Sequence, residues 1–332
     1  LCVFLFFDVK EMDWKLAYLQ TDELLPILQR LDEKKAQLDA HRPLPDYALR
    51  RIRESLHLEF THNSTAIEGN SLTLNETRVV LHDGMTVKGK SLREHFEVLN
   101  HHDALHFVED AADRQAVLTE RMLHEIHSML LQRIERDIAG RYRNMGVRIV
   151  GANFTPPNAL RVPDYMEELF KWLDALPKDV HPVVKASVFH HRFVWVHPYF
   201  DGNGRTARLA HALLLMKAGY PPAFVLNQDR KRYYRCLNEA NEGNYAPFLR
   251  MMALAAERSL DLYLGALEDR YDDYLPLGLL VEEPSVPYGA EYLGLLARQG
   301  KLAAFKQGKE WYASKAEVQQ YVAKRQRKRK LD

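Results

Sequence analysis

Apolar residues along this chain recur mostly at spacings of three and four. Leu49, Ile52, Leu56 and Phe60 form one such stripe, as expected for an amphipathic helix. That helix should end near Glu68, where Gly69-Asn70 supplies a stop signal. Similar patterning predicts helices over 119–132 and 163–176. The stretch Val188–Val196 is strongly apolar and predicts a buried helix. It should stop at His197-Pro198, because a residue before proline is pushed out of helical geometry. A further helix starts around Asn203 and runs through Leu209, Leu213 and Met216 to Gly219.

Two regions break this period. Between Gly146 and Val162, β-branched Val147, Ile149 and Val150 precede a Pro156-Pro157-Asn158 turn, predicting a short hairpin between helices. From Pro276 to Pro287 the proline content suggests a linker. Beyond it come a helix over 290–298, a break at Gly300, and two short strands around Gln307-Gly308-Lys309. Ser314 then caps a last helix. This order suits a small winged-helix (α+β) module. The tail 324–330 carries six basic residues in seven.

The 332 residues suggest two or three units. Hydrophobic residues at 46% supply a real core, and a net charge of +1 leaves nucleic-acid or membrane binding to local patches. Two cysteines, Cys2 and Cys236, imply neither a disulfide framework nor a cysteine-rich metal site, and point to reducing cytoplasm. The apolar start, Leu1 to Phe7, is too short to span a bilayer and lacks the charged region of a signal peptide. No other stretch is a membrane candidate.

Chemistry concentrates in residues 197–208, His-Pro-Tyr-Phe-Asp-Gly-Asn-Gly-Arg-Thr-Ala-Arg. Gly202 and Gly204 let the backbone turn tightly around Asn203 just before a helix. A helix N-terminus offers free N–H groups and partial positive charge to a phosphate. Arg205 and Arg208 share a helical face and can clamp phosphate oxygens. Asp201 is placed to hold Mg²⁺, and His197 to act as general base toward a hydroxyl. Cradle, carboxylate, cationic clamp and base together describe a phosphate-transfer site.

This run resembles the signature of the Fic family, His-X-Phe-X-Asp/Glu-Gly-Asn-Gly-Arg-X-X-Arg, with Tyr199 in place of phenylalanine. The resemblance covers roughly residues 45–255. It implies a mostly α fold, a Fic-type helical bundle with a short β-hairpin flap, to which the winged-helix-like module is appended. It also implies transfer of AMP from ATP to a Ser, Thr or Tyr hydroxyl of a protein target. His197 would deprotonate that hydroxyl, and Asp201 would bind Mg²⁺ on the phosphates. Residues 202–208 (Gly202, Asn203, Gly204, Arg205, Thr206, Ala207 and Arg208) would line the ATP site, with Asn203 on phosphate and Tyr199 anchoring the loop.

The same resemblance places the flap at 146–162, with Val150, Gly151, Ala152 and Asn153 near the nucleotide and an edge that pairs with the target segment. It places Tyr233, Tyr234 and Asn241 around adenine. Upstream, Ser64-Thr65-Ala66-Ile67-Glu68-Gly69 resembles the inhibitory motif of the class with an N-terminal inhibitory helix. Glu68 would pair with Arg208 and exclude the γ phosphate; in relatives the same glutamate also serves AMP removal, and self-modification is compatible with this arrangement. The expected organisation is 1–100 helical with the inhibitory motif, 101–255 catalytic core, 256–283 helix end and linker, and 284–332 winged-helix-like module with basic tail.

Competing readings are weaker. His101, His102 and His106 include a helical spacing zinc can use, but they, His124, His127, His190 and His191 read as ordinary structural histidines. A metal phosphohydrolase needs several such ligands to converge. A DNA-binding regulator rests on the C-terminal module and basic tail, which serve equally for protein docking. A homodimer is left open.

Overall fold

The helices predicted from the apolar stripes are present in the computed structural model, which describes residues 23–42, 44, 46–149, 151–268, 274–282, 286–299, 302, 304–307, 310–315, 317–319 and 321–322. The apolar start, Val150, Gly300, Gly308, Lys309 and the basic run 324–330 lie outside these. The described residues form two units, one of residues 23–42 and 54–263, the other of 44, 46–53 and those from 264 onward.

The first unit holds α1 (Leu25–Ala40), most of α2 (Asp46–Ile67), α3 (Leu74–Arg78), α4 (Leu92–Asp113), α5 (Glu120–Leu131), α6 (Val162–Ala175), α7 (Pro182–Val196), α8 (Asn203–Lys217), α9 (Arg230–Asn241) and most of α10 (Ala246–Glu268). Helix α8 is its axis. It packs against α4, α5 and α7, and eleven of its 15 residues are buried. A helix apolar or buried on every side belongs in the middle of a bundle, and Leu209, Ala210, Ala212 and Leu213 are completely enclosed. Sequence-local devices set the helix starts. Thr73 and Ser91 each close a capping box with the glutamate three residues on, Glu76 and Glu94, and Thr119 accepts from the Met122 N–H at 3.2 Å to start α5. Each such cap contributes about 1 kcal/mol.

The segment 146–162 departs from the predicted hairpin, since no strand occurs among its described residues. Pro156 and Pro157 have no N–H to give to a ladder. A turn closes from the Ala152 N–H to the Ile149 carbonyl (3.3 Å), and Asn158 caps a single 3₁₀ turn, Ala159–Arg161. The two limbs are joined by a side chain instead. Buried Arg143 donates to the Met145 carbonyl (3.1 Å) and to the Pro157 carbonyl (2.6 Å).

In the second unit the proline-rich stretch is structural and not a linker. It forms β1 (Tyr274–Pro276) and α11 (Leu277–Leu280), and Leu277, Leu280 and Val286 enter a core with Leu293, Leu296, Leu302, Ala313 and Val318. Helix α12 (Ala290–Arg298) follows, then β2 (Phe305–Gln307) and β3 (Glu310–Ser314). The antiparallel sheet has the order β1-β3-β2, with Gln307 opposite Glu310. Pro276 is tolerated because β1 is an edge strand. Ser314 accepts from the Glu317 N–H at 3.2 Å, starting the last helical stretch.

Replacing Arg143 by methionine keeps an unbranched side chain and removes every side-chain donor. Leaving its buried carbonyl partners unpaired should cost at least about 3 kcal/mol. In limited proteolysis, the segment 146–158 should become the first site of cleavage in Arg143→Met.

Candidate functional site

The site is built where α7 stops and α8 begins. His197 ends α7 in left-handed geometry (φ 51°, ψ 59°), a conformation costly for a side chain with a Cβ. Arg143 holds it there. The guanidinium donates to the carbonyls of His197 (2.7 Å) and Val196 (3.4 Å), and the Arg143 N–H donates to the Pro198 carbonyl (2.9 Å). The His197 Nδ1–H points to the Val194 carbonyl at 3.3 Å, which leaves Nε2 with its lone pair. Burial first, and then Arg143, lowers the His197 pKa to about 4. The ring is therefore neutral at pH 7, as a general base must be.

The loop between the helices is fixed from below. Tyr199 is fully buried, stacks on His127 with ring centroids 3.7 Å apart, and shares a 3.1 Å hydrogen bond with His124 Nδ1. His127 accepts from the Gly140 N–H through Nδ1 (2.9 Å) and so donates from Nε2 to the Asp201 carbonyl (2.9 Å). Gly202 takes φ 75°, and a Cβ there would meet the His127 ring at 3.2 Å. Both facts require glycine.

The Asn203 side chain accepts from the Tyr199 N–H (2.9 Å) and donates to the Tyr199 carbonyl (2.8 Å), so it ties the loop. Thr206 and Ala207 face the core, and the Thr206 N–H is already bonded to the Gly202 carbonyl at 2.9 Å. The first turn of α8 thus offers its earlier N–H groups, the anion-binding element of a helix start.

Acidic side chains already hold both arginines. Arg205 donates to Asp201 Oδ1 at 3.1 Å. Asp201 also accepts from the Gly202 N–H (2.6 Å) and from Arg93 (3.2 Å). Burial alone would raise the Asp201 carboxyl, but Arg205, the Gly202 N–H and Arg93 outweigh it and keep it below its usual range. Arg208 is 2% exposed and donates to Ser64 Oγ (2.9 Å), the Ser64 carbonyl (2.8 Å) and Glu68 Oε1 (2.6 Å). The Glu68 carboxylate lies so closely over α8 that a methyl at Gly204 would overlap Oε1. A carboxylate thus sits on the helix start where a phosphate oxygen would be drawn.

Tyr233 is 1% exposed, with its hydroxyl on His190 at 2.7 Å, and packs in a core cluster with Ile67 and Phe248. Tyr234 is partly exposed and donates to the Ile67 carbonyl at the end of α2 (3.3 Å). Asn241 bonds His191 and Asn153 and lines a cavity of about 210 Å³ with Trp172, Trp195 and Tyr245. Gly151 and Asn153 are fastened to α9 by Asn238, at 3.0 Å to the Gly151 carbonyl and 3.3 Å from the Asn153 N–H. Arg143, His127, Arg93 and Asn238 were not found by sequence reasoning.

With this geometry in hand, the comparisons decide the family. The Fic/DOC family model matches residues 117–215. Fic-1 from C. elegans superposes with a TM-score of 0.67 at 30% identity, covering 74% of this chain and 72% of that one. This chain belongs to the Fic/DOC family. A Fic domain containing signaling protein from Bacteroides thetaiotaomicron is similar at a TM-score of 0.65 and 27% identity, covering 72% of this chain and 96% of that one. Protein adenylyltransferase Fic from Drosophila willistoni is 36% identical over 251 residues, 73% of this chain and 50% of that protein. The chain therefore spans about half the length of that curated relative. Among the described residues, no helix is long and apolar enough to cross a membrane.

The site makes the Fic bundle acid-sensitive. Burial lowers the pKa of His127, His191 and His197 to about 4 and of His211 to about 3, while His101 and His190 fall well below 6.5. Below about 6.5 the unfolded rings take up protons that the folded rings refuse, so acidification favours unfolding. The thermal midpoint should be level above pH 6.5 and fall steadily toward pH 4, a loss of several kcal/mol in total, measurable by calorimetry across that range.

Proposed function

We propose that the chain is an autoinhibited protein adenylyltransferase that transfers AMP from ATP to a hydroxyl of a protein target. One observation carries this reading. The Glu68 carboxylate pairs with buried Arg208 across the start of α8, on the same loop that presents His197 with a free Nε2. The matched relatives named as protein adenylyltransferases support the choice of chemistry.

In the proposed reaction the free N–H groups of α8, Arg205 and Arg208 hold the phosphates. The target hydroxyl attacks the α phosphorus, His197 Nε2 accepts its proton, the bond to the β-phosphate oxygen breaks, and pyrophosphate leaves. His197 supplies general-base catalysis, and the fixed loop supplies positioning and charge stabilisation. Asp201 fits a Mg²⁺ site. It is one partly exposed carboxylate beside the anion cradle, and among the described residues its Oδ2 is shared with half-exposed Arg93 alone. Mg²⁺ is often held by one carboxylate plus substrate phosphates, and when bound it would neutralise phosphate charge. The flap segment, fastened by Arg143 and Asn238 and lacking a ladder of its own, suits main-chain pairing with a target strand. Tyr234 and Asn241 remain the candidates for adenine contact.

Autoinhibition follows from competition for Arg208. A γ phosphate and the Glu68 carboxylate seek the same cation, and two anions within a few ångströms repel strongly in a partly buried site. The second unit's order of sheet and helices suits a winged-helix docking module. The DNA-regulator reading lacks comparable support, since the matched relatives are named as protein adenylyltransferases. Buried Cys236 is a free thiol, in keeping with a reducing compartment such as the cytoplasm.

Glu68→Gly should raise incorporation of label from α-labelled ATP at least about tenfold, the effect of removing about 1.4 kcal/mol of competition. His197→Ala, alone or combined with Glu68→Gly, should lower it by about 10²–10⁴-fold. Unchanged labelling in the glycine variant would remove the inhibitory role, and full labelling without His197 would remove the mechanism.

A further inference from the structure

Outside the nucleotide site, three histidines converge from two helices. His57 comes from α2, and His102 and His106 come from successive turns of α4. One ring nitrogen of each lies within 4.8 Å of the others. Their ring centroids are 6.0, 4.7 and 4.5 Å apart. His102 and His106 alone have the i, i+4 spacing common on any helix. His57, 45 or more residues away in sequence, turns that spacing into a three-sided arrangement.

A fourth donor stands beside them. Glu109 Oε1 is 2.7 Å from His57 Nε2, and Glu109 Oε2 is 3.9 Å from His106 Nδ1. His57 is 3% exposed, yet its Nε2 has no hydrogen-bond partner. The Glu109 oxygen is close but lies off the direction an N–H would need. A buried ring nitrogen without a directed partner is unusual, and a shared cation would resolve it.

We propose that His57, His102, His106 and Glu109 form a binding site for a borderline divalent cation of the zinc type. Three imidazoles and a carboxylate match zinc's usual donors and number, and imidazole selects Zn²⁺, Co²⁺, Ni²⁺ or Cu²⁺ over Mg²⁺. Around a tetrahedral ion with bonds of about 2.0–2.1 Å the donors stand roughly 3.4 Å apart. The observed cluster therefore needs only side-chain adjustments of about 1 Å. The ion would brace α2 against α4, about two helical turns before Ser64. This site is distinct from Asp201, whose single carboxylate suits Mg²⁺, and its existence does not depend on the adenylyltransferase reading.

The test uses the full chain without a histidine tag, stripped with chelator and titrated with Co²⁺. The expected result is saturable uptake of one Co²⁺ per chain. Its absorption bands should be those of a four-coordinate ion, displaced by stoichiometric Zn²⁺ and unaffected by excess Mg²⁺. His102→Gln and His106→Gln should each weaken binding by at least about tenfold, and Asp201→Ala should leave it unchanged. His106 is largely exposed, so its variant should fold normally, which circular dichroism checks. Absence of saturable uptake below millimolar Co²⁺ would overturn the proposal. So would equal uptake by the folded His102→Gln/His106→Gln double variant, or loss of uptake in Asp201→Ala alone.

Discussion

A buried guanidinium must be matched by acceptors, and Arg208 sets that requirement at the centre of this molecule. It sits in the second turn of α8, 2% exposed, and takes its acceptors from α2 and the residue just after it: the Ser64 hydroxyl, the Ser64 carbonyl and the Glu68 carboxylate. Breaking a fully buried pair costs about 3–5 kcal/mol. The figure here is smaller because a third of the Glu68 side chain reaches solvent. The same contact therefore anchors α2 to α8 and covers the anion-binding helix start. On the proposed reading, folding and autoinhibition share one interaction. Removing the carboxylate leaves a cation whose natural replacement partner is a phosphate.

A second constraint operates on the other side of the loop. The left-handed backbone of His197 costs about 1–3 kcal/mol in isolation. It persists because Arg143 binds the carbonyls of Val196, His197 and Pro198, and also those of Met145 and Pro157. One arginine thus aims the imidazole and holds the flap, so the base and the surface proposed to receive the target strand are positioned together. The neutral rings behind the loop serve the same end. His127 in its donating tautomer holds the Asp201 carbonyl, and Tyr199 is clamped between it and His124. Tyrosine in place of phenylalanine is accommodated because its hydroxyl finds a partner in partly buried His124.

Much of this was legible in the sequence where the information is local. Apolar stripes announced α2, α5, α7 and α8, and contiguous residues 197–208 carried the family resemblance. What escaped is long-range or depends on one helical step. Arg143 and Asn238 act on backbone carbonyls, which leave no pattern in the sequence. Tyr233 and Tyr234 differ by about 100° on a helix, enough to send one into the core and leave the other at the surface. Asn203, beside two glycines, gives no sign in the sequence that its side chain ties back to Tyr199. The prolines near 276 suggested a linker because sequence alone does not say that the strand carrying one lies at a sheet edge. His57 could not be joined to His102 and His106 before the pairing of α2 with α4 was known.

That pairing gives the molecule a further logic. Helix α4 contributes Arg93 and Glu97 beside Asp201 and Arg205, and His101, whose Nδ1 meets Thr61 of α2 at 3.2 Å. Just past α2, Asn70 donates to the Glu94 carbonyl and to Glu97 at 2.9 Å each. Helix α2 is thus fastened to α4 on both sides of the Ser64–Glu68 segment, so that segment has little freedom to leave as a unit. Relief of the proposed inhibition would then come most cheaply from rotation of the Glu68 side chain, since moving the helix would break several buried contacts at once. A metal brace at His57 would reinforce this by stiffening α2 on the side away from the nucleotide, leaving the carboxylate at its end as the movable part.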